Sequence, residues 1–75
     1  MMTLALALGI NHIGEVFENN SGWQRRKIQY QYREEGLLVV LYLTSYYENG
    51  SWTEYEVKPY NKCSYRHMIR WGKKL

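Results

Sequence analysis

From Leu37 to Tyr47 the chain is almost wholly apolar or aromatic, and one residue later it reaches Asn49-Gly50. Such a run, rich in branched and aromatic residues, suits a strand covered on both faces. Asn-Gly suits the two central positions of a type I′ turn, where both residues need positive φ. Together these features predict a long central strand that turns straight back on itself, which means an antiparallel sheet. Trp52 to Lys58 is the expected return strand. On the other side, Arg26 to Arg33 alternates cleanly, with Ile28, Tyr30 and Tyr32 on one face and Lys27, Gln29, Gln31 and Arg33 on the other.

The period of two makes register arguable, because a one-residue slip turns a strand over. A two-residue loop at Asn49-Gly50 places Tyr55 opposite Thr44 and Val57 opposite Tyr42. A three-residue loop, Glu34-Glu35-Gly36 with Gly36 in a left-handed bulge, brings Ile28, Tyr30 and Tyr32 onto the same face. A two-residue loop there would bring the charged side instead. The expected core is therefore Ile28, Tyr30, Tyr32, Leu38, Val40, Tyr42, Tyr55 and Val57. Val39, Leu41 and Leu43 form a second apolar stripe that also needs a cover.

The two ends supply candidate covers. Thr3 to Glu18 reads as a strand, or two short ones bent at Gly9 and Gly14, and its opening is also compatible with a short buried helix. After Pro59 the chain fits a helix capped by Asn61 and stopped at Gly72, with Tyr65, Met68, Ile69 and Trp71 on one arc. The alternative is a strand with Cys63, Tyr65, His67, Ile69 and Trp71 on one face, and the helix is the preferred reading. The expected fold class is mainly β (α+β): one domain over residues 1–75, an antiparallel meander of three or four strands with a C-terminal amphipathic helix or an extra strand.

Seventy-five residues lie near the lower limit for a core without staples, and Cys63 is the only cysteine, so no internal disulfide is possible. Stability must come from apolar burial, helped by eight Tyr and three Trp, or from self-association, so a homo-oligomer is an open expectation. The apolar opening Leu4 to Ile10 has no Lys or Arg before it and falls far short of a bilayer span of roughly 20 residues. The expectation is a cytoplasmic protein, in the host cytoplasm if phage-encoded, with no membrane partner.

Charge is the main functional signal. All seven Glu precede Val57, beside four cations, whereas Lys58, Lys62, Arg66, Arg70, Lys73 and Lys74 follow it with no acid among them. A net charge of +3 is thus −3 joined to +6, a polarity that favours a polyanionic or acidic partner. Lys62, Arg66, Arg70, Lys73 and Lys74 are the expected phosphate contacts of a nucleic-acid-binding module, with Tyr65 and Trp71 as stacking residues. Arg25, Arg26, Lys27 and Arg33 form a second footprint, accompanied by Gln29 and Gln31. The same charges also suit a solvated helix face and a soluble edge strand.

The alternative is a small phage or mobile-element protein that binds and inhibits a host protein machine, in the manner of anti-CRISPR inhibitors. Glu48, Glu54 and Glu56, with Tyr47 and Trp52, are its contact residues. A third reading is a structural subunit that assembles through the Val39, Leu41 and Leu43 stripe. Cys63-x3-His67 offers two metal ligands where a zinc site needs four, so neither metal nor other cofactor is expected. Acid-base chemistry in a small ribonuclease would draw on His67 or His12 with Glu, Tyr and Arg. No motif joins them, and the expectation is a binding protein without catalytic residues.

Overall fold

The computed structural model describes residues 10–75, with side chains throughout except at residues 57–60. The elements run β1 (Val16–Asn19), β2 (Gln24–Glu34), β3 (Leu37–Glu48), β4 (Ser51–Trp52), β5 (Glu56–Ser64), α1 (Tyr65–Trp71) and β6 (Gly72–Lys74). Among the described residues the strands form one curled, antiparallel half-barrel with a single short helix near its C-terminal end. Strand order is β4-β3-β2-β1-β6, and β5 occupies the same side of β3 as β4, farther along that strand. The expected mainly β architecture with a C-terminal helix is the one observed. The readings of Thr3 to Gly9, and the core role given to Val57, lie outside the described residues.

The Asn49-Gly50 turn has positive φ at both central residues, 52° and 85°, and pairs Glu48 with Ser51 and Tyr47 with Trp52. The other hairpin differs from expectation. Glu35 and Gly36 also both have positive φ, 51° and 82°, so the loop has two residues and Glu34 pairs with Leu37. A primed turn matches the twist of the flanking strands, and that preference outweighs the modest cost of a left-handed Glu. Tyr32 then lies opposite Val39 and Tyr30 opposite Leu41. A β-bulge at Gln29 resets the ladder, and Ile28 meets Tyr42 as expected. Tyr30 and Tyr32 consequently leave the face of Ile28, and Gln31 takes their place opposite Val40.

The return strand also departs from the simple hairpin. After Trp52 the Thr53 hydroxyl accepts from the Tyr46 amide at 2.9 Å and draws the chain out of the ladder. Pairing resumes with Glu56 opposite Thr44, one residue out of the expected register, so Tyr55 turns to the other face, where Lys27 lies over its ring. A second irregularity follows before Asn61 pairs with Tyr42. Pro59 falls within that irregular stretch of an edge strand, one of the few places in a sheet where a residue without an amide hydrogen is tolerated.

One face, here called inner, carries Phe17, Ile28, Val40 and Tyr42, and α1 lays Met68 across them to close the core. The C-terminal ambiguity resolves into both states in turn, strand to Ser64, helix to Trp71 and strand again from Gly72. The cap is Ser64 and not Asn61: its Oγ accepts from the His67 amide at 3.0 Å, whereas Asn61 is still in the ladder with Tyr42. Within the expected apolar arc Met68 is fully buried, Tyr65 and Trp71 pack at the margin, and Ile69 is exposed. Gly72 ends the helix as predicted, for a steric reason. A Cβ there would collide with the backbone carbonyl of Glu18 on β1.

Two substitutions test this packing. Met68→Ala is expected to lower unfolding stability by about 2–5 kcal/mol, and Gly72→Ala by about 1–3 kcal/mol through overpacking against β1. Urea unfolding followed by Trp fluorescence reads both. An unchanged midpoint in either would contradict the packing of α1 or of the β1–β6 seam.

Candidate nucleic-acid interface

Ladder pairing and strand alternation sort the cations by face. Lys62 lies opposite Leu41, Lys27 opposite Leu43 and Val16, and Lys73 opposite Glu18, which is itself opposite Arg25. These four cations therefore share the outer face of the sheet. Arg66 and Arg70, one helical turn apart on α1, are exposed on the opposite side of the body. Lys74 lies opposite Phe17 on the inner face, and Arg33 is exposed near the Glu35-Gly36 turn. The single stripe read from the C-terminal sequence is thus two groups, because strands precede and follow a helix of only 7 residues.

Neutralisation is sparse. Arg25 Nε donates to Glu18 Oε1 at 2.9 Å, and Lys74 Nζ lies 3.8 Å from Glu15 Oε2. Among the described residues no carboxylate comes within 4.0 Å of Lys27, Arg33, Lys62, Arg66, Arg70 or Lys73.

The two aromatic residues expected to stack on bases are engaged inside the protein. Tyr65 stacks on the His12 ring with centroids 3.9 Å apart, and its hydroxyl donates to Glu15 Oε1 at 2.8 Å. Trp71 lies under the Arg26 guanidinium, whose Cζ is 3.8 Å from the indole centroid and 4.5 Å from that of Tyr42. Nε and Nη1 of Arg26 are buried without a hydrogen-bond partner among the described residues. The Trp71 and Tyr42 rings attract the guanidinium through their π faces. Arg26 is therefore structural, although its neighbours Arg25 and Lys27 face outward.

The inner face also gathers a polar cluster that the sequence gives no local sign of. The His12 amide donates to Gln31 Oε1 at 2.7 Å, and Gln31 Nε2 donates to the Ile10 carbonyl at 3.1 Å. So anchored, His12 places Nδ1 2.9 Å from Glu15 Oε2. Burial raises the Glu15 pKa, but hydrogen bonds from His12 and Tyr65 and the charges of His12 and Lys74 outweigh it, and the net shift is downward. The Tyr65 hydroxyl is pushed up to about 12 by burial and by its bond to Glu15. His67, by contrast, is exposed on α1 and apart from this cluster. Burial raises the Cys63 thiol, only partly offset by the charge of Arg26, which makes it a poor nucleophile.

The alternative contact residues lie around the Asn49-Gly50 hairpin. Tyr47 and Trp52 form an edge-to-face pair with centroids 5.4 Å apart, and Arg25 covers Trp52 with Cζ 4.1 Å from the ring. Glu48, Glu54 and Glu56 are all exposed, and Glu56 also accepts from Thr44 Oγ1 at 3.2 Å. Val39 and Leu43 of the second apolar stripe are buried, and Leu41 is partly exposed. No helix among the described residues is long and apolar enough to cross a membrane. No family model, curated protein or solved structure matches the chain.

The Glu15 cluster makes stability depend on pH at both extremes. A depressed carboxyl pKa contributes stability that is present above the ordinary carboxylate range and lost as pH falls through the folded value. A phenol raised from 10.0 to about 12 contributes stability that is present below pH 10 and lost as pH rises toward 12. Glu15→Gln should therefore flatten the acid limb and bring the Tyr65 ionisation down, as read by denaturation against pH and by phenolate absorbance. An unchanged acid limb and Tyr titration would refute the network.

Proposed function

We propose that this protein is a nucleic-acid-binding module that meets phosphates with the cations of its C-terminal third. The observation that carries this reading is the set of exposed cations without carboxylate neighbours among the described residues: Lys62, Arg66, Arg70 and Lys73. A folded chain gains little from unpaired cations, whereas a polyanion that neutralises them releases its counterions and gains affinity. Because α1 follows the edge strand β5 directly, a polymer held by Arg66 and Arg70 reaches Lys62 by passing round that edge. Arg25 is the weaker contact, being already paired with Glu18.

The test is a titration with labelled single- and double-stranded DNA and RNA at two salt concentrations. Binding is expected to weaken steeply with salt. Arg66→Glu combined with Arg70→Glu should weaken it at least tenfold and lower the salt slope, since each phosphate contact contributes roughly 0.7 to 0.9 to that slope. No binding at low salt, or full affinity in the double variant, overturns the reading.

A second reading, inhibition of a host protein, draws support from the hairpin end, where Glu48 and Glu54 are exposed beside Tyr47, itself 49% exposed. Aromatic anchors ringed by charge suit a protein contact. Glu48→Lys with Glu54→Lys separates the two: nucleic-acid affinity should hold or rise, whereas an inhibitor that docks here would lose its partner.

A further inference from the structure

The bulge at Gln29 moves Tyr30 and Tyr32 onto the outer face, and Tyr30 is left 54% exposed there. Their rings lie 6.2 Å apart, tilted by 33°, roughly the spacing of alternate residues along one strand. Across the ladder Tyr30 meets Leu41 and, beyond it, Lys62, while Lys27 precedes the bulge on the same face. Neither lysine has a carboxylate within 4.0 Å among the described residues. The acids on this face are Glu18, occupied by Arg25, and Glu34 beside the distal turn.

We infer that the outer sheet face binds single-stranded nucleic acid, with unpaired bases stacked on Tyr30 and Tyr32 and the backbone held by Lys27 and Lys62. This rests on the nucleic-acid reading above and gives it a form of ligand and a surface. A duplex hides its base faces and has nothing to lay on an exposed tyrosine ring. A single strand presents both the π face and the phosphate, and every base has that face, so binding is tolerant of sequence. The charge of the face selects a polyanion over an apolar or basic partner.

The experiment compares an oligothymidylate with a duplex of the same length, on the wild type and on Tyr30→Ala with Tyr32→Ala. Tyr30 is exposed and Tyr32 half-buried, so circular dichroism verifies the fold of the pair, and Tyr30→Ala alone repeats the test with the smaller perturbation. Tyr30→Trp serves as a second variant that keeps a stacking face and reports contact by fluorescence. The wild type should prefer the single strand. The double Ala variant should lose about tenfold or more of that affinity with its salt slope unchanged, and Tyr30→Trp should retain affinity and be quenched. Salt-sensitive wild-type binding with undiminished single-strand affinity in the double Ala variant overturns this inference and leaves the broader reading intact. Absence of any nucleic-acid binding removes both. A dimer that dissociates on Tyr30→Ala would give the face to a second copy of the chain and likewise overturn the inference.

Discussion

Every side-chain assignment in this fold depends on the ladder between β2 and β3, and that ladder contains one residue more on β2 than on β3. Below the bulge at Gln29, Ile28 faces Tyr42 in the core and Arg26 follows it inward. Above the bulge the parity is reversed, with Gln31 inward and the two tyrosines outward. The Glu35-Gly36 turn fixes the upper register and the buried Ile28 fixes the lower one. The mismatch of one residue has to be absorbed between them. With the two-residue turn, a regular ladder would turn Ile28 away from Tyr42 and put the charged side of β2 on the inner face.

This parity change explains how so small a protein uses both faces of its sheet. The inner face is closed by Met68 at its centre. At its margins polar side chains are satisfied by one another, as when Gln31 holds the 10–12 segment and Glu15 accepts from Tyr65. Arg26 belongs to the same covering layer, packed between Tyr42 and Trp71 with π faces in place of acceptors. The outer face keeps cations and aromatics that are less completely covered. The chemistry available to a ligand is therefore set as much by the bulge as by composition.

The central strand and the Asn49-Gly50 turn were legible because each rests on local chemistry, a run of branched residues and a pair suited to positive φ; the stop at Gly72 was read correctly, but the need for a residue without Cβ comes from the distant β1. The Glu35-Gly36 turn was misread because, in a regular ladder, a two-residue loop puts the charged side of β2 in the core, and no local signal announces the bulge at Gln29 that removes this conflict. The register of Tyr55 was hidden for another reason: the departure after Trp52 is driven by the Thr53 side chain bonding to Tyr46, seven residues back. Cap choice was a near miss, since Ser64 and Asn61 are both capable and only the extent of β5 decides between them. At the candidate interface the charges could be read from sequence, but not their division between two sides. The internal engagement of Tyr65 and Trp71 depends on Glu15 and Arg26, partners remote in the chain.

The seam between β1 and β6 pairs Phe17 with Lys74, so it closes over most of the described chain, whereas the β2–β3 hairpin is assembled from neighbours. Long closures come late, because chain entropy opposes them until other contacts have shortened the path. During synthesis on the ribosome the hairpin can form early, yet the seam cannot close until Lys74 has emerged. Until then the inner face lacks its edge strand and the Glu15 cluster lacks its lysine. Met68, the central cover of that face, lies in the same late segment, so the core closes only when the last part of the described chain is in place.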